Sequence, residues 1–330
     1  MLSCLAFDIG GTNCRMAVYS VGKDGQAAIE ALDKAPTDAV HTAEELHQAV
    51  GERLGEAAAK CSACAAAVAA PVVGCKASLT NAGLVLDAGR MQQLFGMPVR
   101  LINDYAAVCY AAEDRSKENV EQLWGNEPLS GSRAVFGAGT GLGCAAVMQD
   151  AGLNGGNGSI LLSEGGHVSC SFEGAEERAF ADFIRRQKEQ NGGGEDAASD
   201  YVSMEDVLSG RGLKSLVLAA SGQSLSGREC GRRYLSQDPD QNTVGRLYAR
   251  FMGRFARNWA LSTMCTGGLW IAGGIAVQNR AVAASQSFRK EFVRGRHAGL
   301  LEAMPIYLFR NENFGLRGAC ACAWQLLQNS

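Results

Sequence analysis

Two stretches of this chain follow one design, a short apolar strand running through a glycine-rich turn into a second apolar strand. In the first, Leu5-Ala-Phe-Asp-Ile-Gly-Gly-Thr-Asn13 leads into Arg15-Met-Ala-Val-Tyr-Ser-Val21. In the second, Arg133–Phe136 passes through Gly137-Ala-Gly-Thr-Gly-Leu-Gly143 into Cys144–Met148, an internal echo of the first. Glycine lets a backbone bend sharply and lets a ligand come close. Turns of this kind can aim N–H groups and a threonine hydroxyl at phosphate oxygens. Asp8, at the end of the first strand, suits a hydrated Mg²⁺, which prefers few carboxylates and several waters. The glycines join strand to strand, so neither G-x-G-x-x-G opening a helix nor G-x-x-x-x-G-K-[ST] describes them. Taken singly, each turn reads equally well as an ordinary hairpin, and residues downstream have to decide.

With 330 residues the chain can form two lobes, each with its own core. Its 31 basic and 34 acidic residues give a net charge of −3, which argues against nucleic acid or an anionic membrane as partner. No apolar run approaches membrane-spanning length. The N-terminus lacks a basic n-region and Asp8 interrupts its apolar stretch, so a cytoplasmic protein without signal peptide is expected. Of the 12 cysteines, Cys4, Cys109, Cys144, Cys265, Cys320 and Cys322 lie in apolar runs and read as small hydrophobes with reduced thiols. Cys61-Ser-Ala-Cys64 is the one C-x-x-C; it has no second pair at zinc-site spacing, and the chain has four histidines, so no protein-held metal is expected.

Strand and helix patterns alternate along the chain. Strands are expected at 26–34, 63–70, in the stretch 75–86, and at 99–102, with a turn at Thr80-Asn81. Helices are expected over 42–60, where Leu46, Val50 and Leu54 share a face, over 90–95 and over 105–112. The stretch 114–126 reads as charged and irregular. Further on, 159–163 is a strand, 175–190 an amphipathic helix, and the Gly-rich acidic stretch 191–200 a mobile loop. Ser203-Met-Glu-Asp206 reads as a capping box. The longest helix, 243–262, carries Val244, Leu247, Tyr248, Phe251, Met252, Phe255 and Trp259 as its apolar stripe, with Arg246, Arg250, Arg254 and Arg257 on a solvated or salt-bridged face. Strands at 269–272 and 305–309 and a closing helix at 314–327, expected to pack back on the first lobe, complete a mixed α/β protein.

Six motifs then occur in one order: Asp8-Ile-Gly-Gly-Thr-Asn13, Ile102-Asn-Asp104, Gly137-Ala-Gly-Thr-Gly-Leu-Gly143, Glu164-Gly-Gly-His167, Glu205 before Leu208-Ser-Gly210, and Ile271-Ala-Gly-Gly-Ile275. Together they resemble bacterial glucokinases, of the actin-like ATPase superfamily that includes hexokinases, over nearly the whole chain. The resemblance implies a two-lobed actin-like (ribonuclease H-like) α/β fold with its active site in the interlobe cleft. Residues 1–113 with 312–330 would form the small lobe and 114–311 the large α+β lobe.

What the resemblance implies for single residues agrees with their chemistry. Asp104 would be the general base that takes the proton of a hexose 6-hydroxyl, and its plain structural role would be to cap the helix that follows. Asn103 would bond sugar hydroxyls, though an Asn-Asp pair is also a turn signal. Glu164, His167 and Glu205 would hold the remaining hydroxyls, since carboxylates and an imidazole can read donors and acceptors together. Each of the three has an equally ordinary reading as a surface residue. Asp8, Gly10, Gly11, Thr12 and Asn13 from one lobe, and Gly139 and Thr140 from the other, would cradle the phosphates of ATP, with Gly273 and Gly274 making room for adenosine. Mg²⁺ would arrive with ATP, reaching Asp8 through water. The expected partner is glucose or a similar hexose, and the family suggests a homodimer.

Three departures from the family pattern flank the sugar side: Leu162-Ser163 where Pro-Gly is expected, Arg211 where Pro is expected, and the extra stretch 191–200. Another hexose is therefore an alternative to glucose. A sugar-sensing regulator would need an N-terminal helix-turn-helix, whereas this chain enters its first strand at once. An actin-like scaffold ATPase would keep the phosphate turns without needing Glu164, His167 and Glu205.

Overall fold

The computed structural model describes residues 2–22, 27–79, 82–149, 158–190 and 201–328. The Thr80-Asn81 turn and the stretch 191–200 lie outside the described residues. The chain forms two compact units, Met1–Arg115 with Asn313–Ser330, and Ser116–Glu312.

The first unit contains β1 (Leu2–Ile9), β2 (Asn13–Val21), β3 (Ala27–Pro36), α1 (Ala43–Ala59), β4 (Cys61–Val68), β5 (Val72–Val73), β6 (Lys76–Leu79), β7 (Leu84–Asp87), α2 (Ala88–Phe95), β8 (Val99–Asn103), α3 (Asp104–Ala111) and the C-terminal helix Phe314–Gln328. Its main sheet has the order β3-β2-β1-β4-β8. The two hairpin contacts are antiparallel, and β1–β4 and β4–β8 are parallel. Strand alternation sends Leu5, Phe7 and Ile9, with Cys64, Ala66 and Val68, into a core with Leu46, Val50 and Leu54 of α1. α1 opens on a capping box between Thr42 and Glu45, which satisfies two of its orphan N–H groups.

The opposite face of β1 meets the C-terminal helix at very short range. A Cβ on Gly315 would come within 2.6 Å of the Asp8 carboxyl carbon, and one on Gly318 within 1.7 Å of the Ala107 carbonyl oxygen. The alanine run of β4 suits the same close packing, since small side chains leave room for a helix. Backbone cannot retreat as a side-chain tip can. Gly318→Ala is therefore expected to cost about 1–3 kcal/mol through overpacking, read as a lower urea midpoint; an unchanged midpoint would show that the helix can shift at no cost.

The second unit contains β9 (Val120–Trp124), β10 (Arg133–Ala138), β11 (Leu142–Met148), β12 (Ser159–Ser163), α4 (Gly174–Gln190), α5 (Met204–Leu208), α6 (Gly210–Ser221), α7 (Gly227–Cys230), α8 (Thr243–Thr263), β13 (Gly268–Ala272), α9 (Gly274–Gln278), α10 (Ala281–Ala284), α11 (Gln286–Phe292), α12 (Ala298–Ala303) and β14 (Ile306–Phe309). Its sheet runs β12-β11-β10-β13-β14-β9. The first five strands repeat the order and directions of the other unit, two antiparallel contacts followed by two parallel ones. The short glycine echo is thus the visible end of a duplicated sheet.

One expectation is corrected here and another is sharpened. The stretch 114–126 is not irregular throughout, because Val120–Trp124 pairs antiparallel with β14 as an edge strand. Its polar Glu121-Gln122 pair conceals the strand, and Glu121 is held by ion pairs to Arg280 and Arg310. The arginines of α8 take the salt-bridged form of the expected face, one of them at depth. Arg254 is fully buried, donating to Glu177, Glu291 and the Ser171 carbonyl. Arg250 and Arg257 join the same cluster, and Arg246 pairs with Glu176. The apolar stripe of α8 is buried as the periodicity requires. All 12 cysteines are free thiols. No helix among the described residues is long and apolar enough to cross a membrane.

Candidate active site

Each unit gathers part of the expected site at the same place in its sheet, where parallel strands end. In the first unit β1 ends after Asp8 and β8 ends at Asn103, with β4 between them in register, Ile9 beside Val68 and Val68 beside Asn103. Two acidic side chains therefore meet one sheet edge, at a spacing of roughly two strands. Asp104 does not cap α3. The cap is Asn103, whose side chain accepts from the Tyr105 N–H at 2.9 Å, and Asp104 is the first helical residue. The reason is positional: Asn103 still has extended φ/ψ, as a cap must. The same Tyr105 N–H also reaches Asp104 Oδ1 at 2.9 Å. Asn103 Nδ2 donates to the Ala70 carbonyl at 3.3 Å, so one hydrogen of its amide is committed to the fold.

Burial pushes the Asp104 carboxyl up to about 6; the Tyr105 N–H opposes this and the charge of Asp8 adds to it. Asp8 is likewise raised by burial, with Arg15 opposing at 3.9 Å. A carboxylate poised near neutrality is suited to receive a proton. The glycine turn beyond Asp8 is closed by Gly10 N–H to Asn13 O at 3.0 Å, and Gly11, Thr12 and Asn13 are exposed. Nothing lies within 4 Å of a Cβ built on Gly11, so the turn is open to a ligand. Thr37 was not foreseen from sequence. Buried at the end of β3, it donates its hydroxyl to Gly10 O at 2.7 Å and its N–H to Thr12 O at 3.1 Å. No local signal marks it, because its partners are more than 20 residues away in sequence.

The second unit collects four of the six sequence motifs around the join of β10 and β11. Gly139 N–H closes the turn onto Gly141 O at 2.8 Å, and Thr140 is exposed. Gly273 follows β13 at φ 84°, where a Cβ would strike the Ala138 carbonyl at 2.3 Å; Gly274 opens α9. Both glycine pairs thus share one strand end. On the other side a Cβ on Gly166 would meet Leu142 O at 1.9 Å, which seats the Glu164–His167 turn against β11. His167 Nε2 lies 3.8 Å from Glu164 Oε2, and the Glu164 side chain is 87% exposed. Glu205 is different, with a side chain only 17% exposed. It sits in α5 behind the Ser203/Asp206 capping box, and its Oε2 accepts from the Leu142 N–H at 2.9 Å. The two acidic motifs are tied through backbone, since Met204 N–H bonds Val168 O at 2.9 Å and Cys170 N–H bonds Val202 O at 2.7 Å.

The donor set also bears on metal. Among the described residues no group of three or more His, Cys, Asp or Glu could hold an ion. A single carboxylate such as Asp8 fits a Mg²⁺ that keeps its waters and rides on phosphates.

Comparison with known proteins bears on what this arrangement serves. A glucokinase of Tolumonas auensis is 32% identical over 333 residues, covering 98% of this chain and 97% of the relative. A crystal structure of glucokinase from an Antarctic psychrotroph superposes with TM-score 0.77 at 24% identity, covering 98% of this chain and 99% of that one. The glucokinase from Balamuthia mandrillaris, solved in complex with glucose, gives 0.76 at 22% identity, covering 98% and 94%. Likenesses of this extent fix the fold as the actin-like ATPase type of these enzymes. The sequence model of the glucokinase family matches residues 5–326, and the chain belongs to that family.

Proposed function

We propose that this glucokinase-family enzyme transfers the terminal phosphoryl group of ATP to the 6-hydroxyl of glucose, giving glucose 6-phosphate and ADP. The observation that carries the mechanism is the half-buried carboxylate of Asp104, which opens α3 directly after the parallel strand β8 and is raised by desolvation to about 6. Asp104 takes the proton of the 6-hydroxyl as its oxygen attacks the phosphorus. Glu164, His167 and Glu205 accept and donate to the other hydroxyls, and Asn103 adds contacts from the strand end. A polar site of this kind rejects sugars that lack a hydroxyl, because its own groups are then left unpaired. Backbone N–H groups and hydroxyls at the exposed residues Gly11, Thr12 and Thr140 receive phosphate oxygens, and Gly273-Gly274 leaves space for adenosine. Mg²⁺, when bound with the nucleotide, offsets phosphate charge; Asp8 would reach it through water. Phosphoryl transfer asks chiefly for positioning and charge stabilisation, which these groups provide. On this reading the enzyme acts in the cytoplasm as a homodimer, the dimer being testable by sedimentation.

The test is ADP release from Mg·ATP across a panel of hexoses. Glucose-dependent release is expected, with little ATP hydrolysis when sugar is omitted. Equal release without sugar would overturn the kinase reading, and a stronger response to mannose or fructose would move the substrate. Glu205→Gln is expected to raise the KM for glucose by about 10-fold or more, since a charge-assisted bond to hydroxyl is lost. An unchanged KM would remove Glu205 from the sugar.

A further inference from the structure

Glu205 has a second partner. Its Oε2 accepts from Leu142 N–H at 2.9 Å, while its Oε1 lies 3.4 Å from Nη2 of Arg211. One carboxylate therefore spans the backbone of the second glycine turn and a guanidinium. Arg211 stands in the first turn of α6, and the residue before it is fastened to the same turn, Gly210 N–H donating to Gly139 O at 2.8 Å. The Arg211 side chain is 77% exposed, and Glu205 is its recorded ionic partner. A largely exposed fork of five N–H donors is thus tethered, by one long contact, to the carboxylate that holds the Gly139–Leu142 turn. Guanidinium geometry matches phosphate oxygens in pairs, which a single carboxylate oxygen at this distance does not exploit.

The two oxygens of Glu205 are not equivalent. Oε2 is committed to the turn, so a hexose hydroxyl donating to this residue has Oε1 to use, the oxygen that faces Arg211. We propose that Arg211 binds the terminal phosphates of the nucleotide seated on the Gly139–Leu142 turn, and that hexose capture by Glu205 releases it to do so. The inference rests on the sugar-binding role of Glu205 given above. Its consequence is thermodynamic: sugar and nucleotide each tighten the other, by the same factor in both directions. Without sugar, Arg211 is shared with Glu205 and the nucleotide binds more weakly.

The experiment is calorimetric titration of the wild type and of Arg211→Gln with a non-hydrolysable ATP analogue and Mg²⁺, with and without glucose. In the wild type, glucose is expected to tighten the analogue by about 10-fold, the scale of one charge-assisted bond. In Arg211→Gln the analogue is expected to bind about 10-fold more weakly in the presence of glucose, and the effect of glucose on it is expected to vanish. Its salt dependence should also become shallower as one phosphate contact is lost. Arg211→Lys should restore part of the affinity by charge alone. Circular dichroism of the variant should match the wild type, the side chain being exposed. Unchanged analogue affinity and unchanged glucose linkage in Arg211→Gln would overturn the proposal while leaving glucose phosphorylation intact. Wild-type protein that fails to bind glucose would instead overturn the functional reading on which it rests.

Discussion

Asp104→Ala is expected to lower glucose-dependent turnover by about 10²–10⁴-fold, the usual contribution of a positioned general base, while on the proposed reading glucose binding through Glu164, His167 and Glu205 is expected to survive. Isothermal titration with glucose, beside a coupled ADP assay, separates the two effects. Turnover within a few-fold of wild type would remove Asp104 from its role. The pH profile makes the expectation sharper. The active form of the base is the carboxylate, so kcat/KM should rise with pH through an acid limb centred near the raised value of about 6. Asp8 contributes to that elevation by its negative charge. Asp8→Asn should therefore move the limb toward lower pH, whatever it does to the absolute rate.

A stability effect of opposite sign accompanies the loss of activity. The folded Asp104 carboxyl titrates near 6 and the unfolded one near its ordinary 3.8, so the folded chain holds its proton more tightly. That preference favours folding fully below the unfolded value and is lost as pH rises through about 6. Above that range the partly desolvated charge is a cost of about 1–3 kcal/mol. Asp104→Asn keeps the oxygen that accepts from Tyr105 and removes the charge. It should raise the melting temperature at pH 8 and change it little at pH 4. Activity and stability compete at this residue, as they often do at strained or desolvated sites.

Arg254 carries the largest expected effect on folding. Its guanidinium is completely buried, with Nη1 2.8 Å from Glu177 Oε2, Nη2 3.2 Å from Glu177 Oε1, Nε 3.2 Å from Glu291 Oε1, and Nη1 2.6 Å from Ser171 O. Glu177 is also fully buried. A buried pair is weak evidence of net stabilisation when weighed against apolar packing, but removing one partner strands the other charge. Arg254→Met should therefore destabilise by about 3–5 kcal/mol and lower the melting temperature of this unit by roughly 10 °C. Arg254→Lys should recover only part of the loss, because an ammonium cannot serve three directions with a planar fork. The Ser171 contact adds a functional readout. Residues 168–170 are tied to the strand-like 202–204 that precedes Glu205, so a loosened Ser171 should raise the KM for glucose more than it lowers kcat. A variant as stable as wild type would show that Arg250 and Arg257 suffice to neutralise Glu177 and Glu291.

Much of this protein could be read before any coordinate. Glycine turns between apolar strands are strong local signals, because a sharp bend allows few residues to occupy it. Periodicity in α1 and α8 has one physical cause, the burial of a single face, and so their apolar stripes could be assigned directly. The capping box at Ser203–Asp206 is written in four consecutive residues. The six ordered motifs led to the family, since each is weak but their order is not.

What escaped the sequence was whatever depends on partners distant in the chain. Val120–Trp124 becomes a strand only because β14 offers it an edge, and its own polar pair argues otherwise. Thr37 closes the first glycine turn from the end of another strand. Arg254 looks like one more polar residue on a helix until Glu177 and Glu291 arrive from two other helices to enclose it. The local sequence thus determined the elements, the turns and the chemistry available at them, because backbone propensity and hydrophobic spacing act over a few residues. Tertiary packing alone decided which charges are desolvated and which carboxylates are held, because the cost of burying a charge depends on everything that surrounds it.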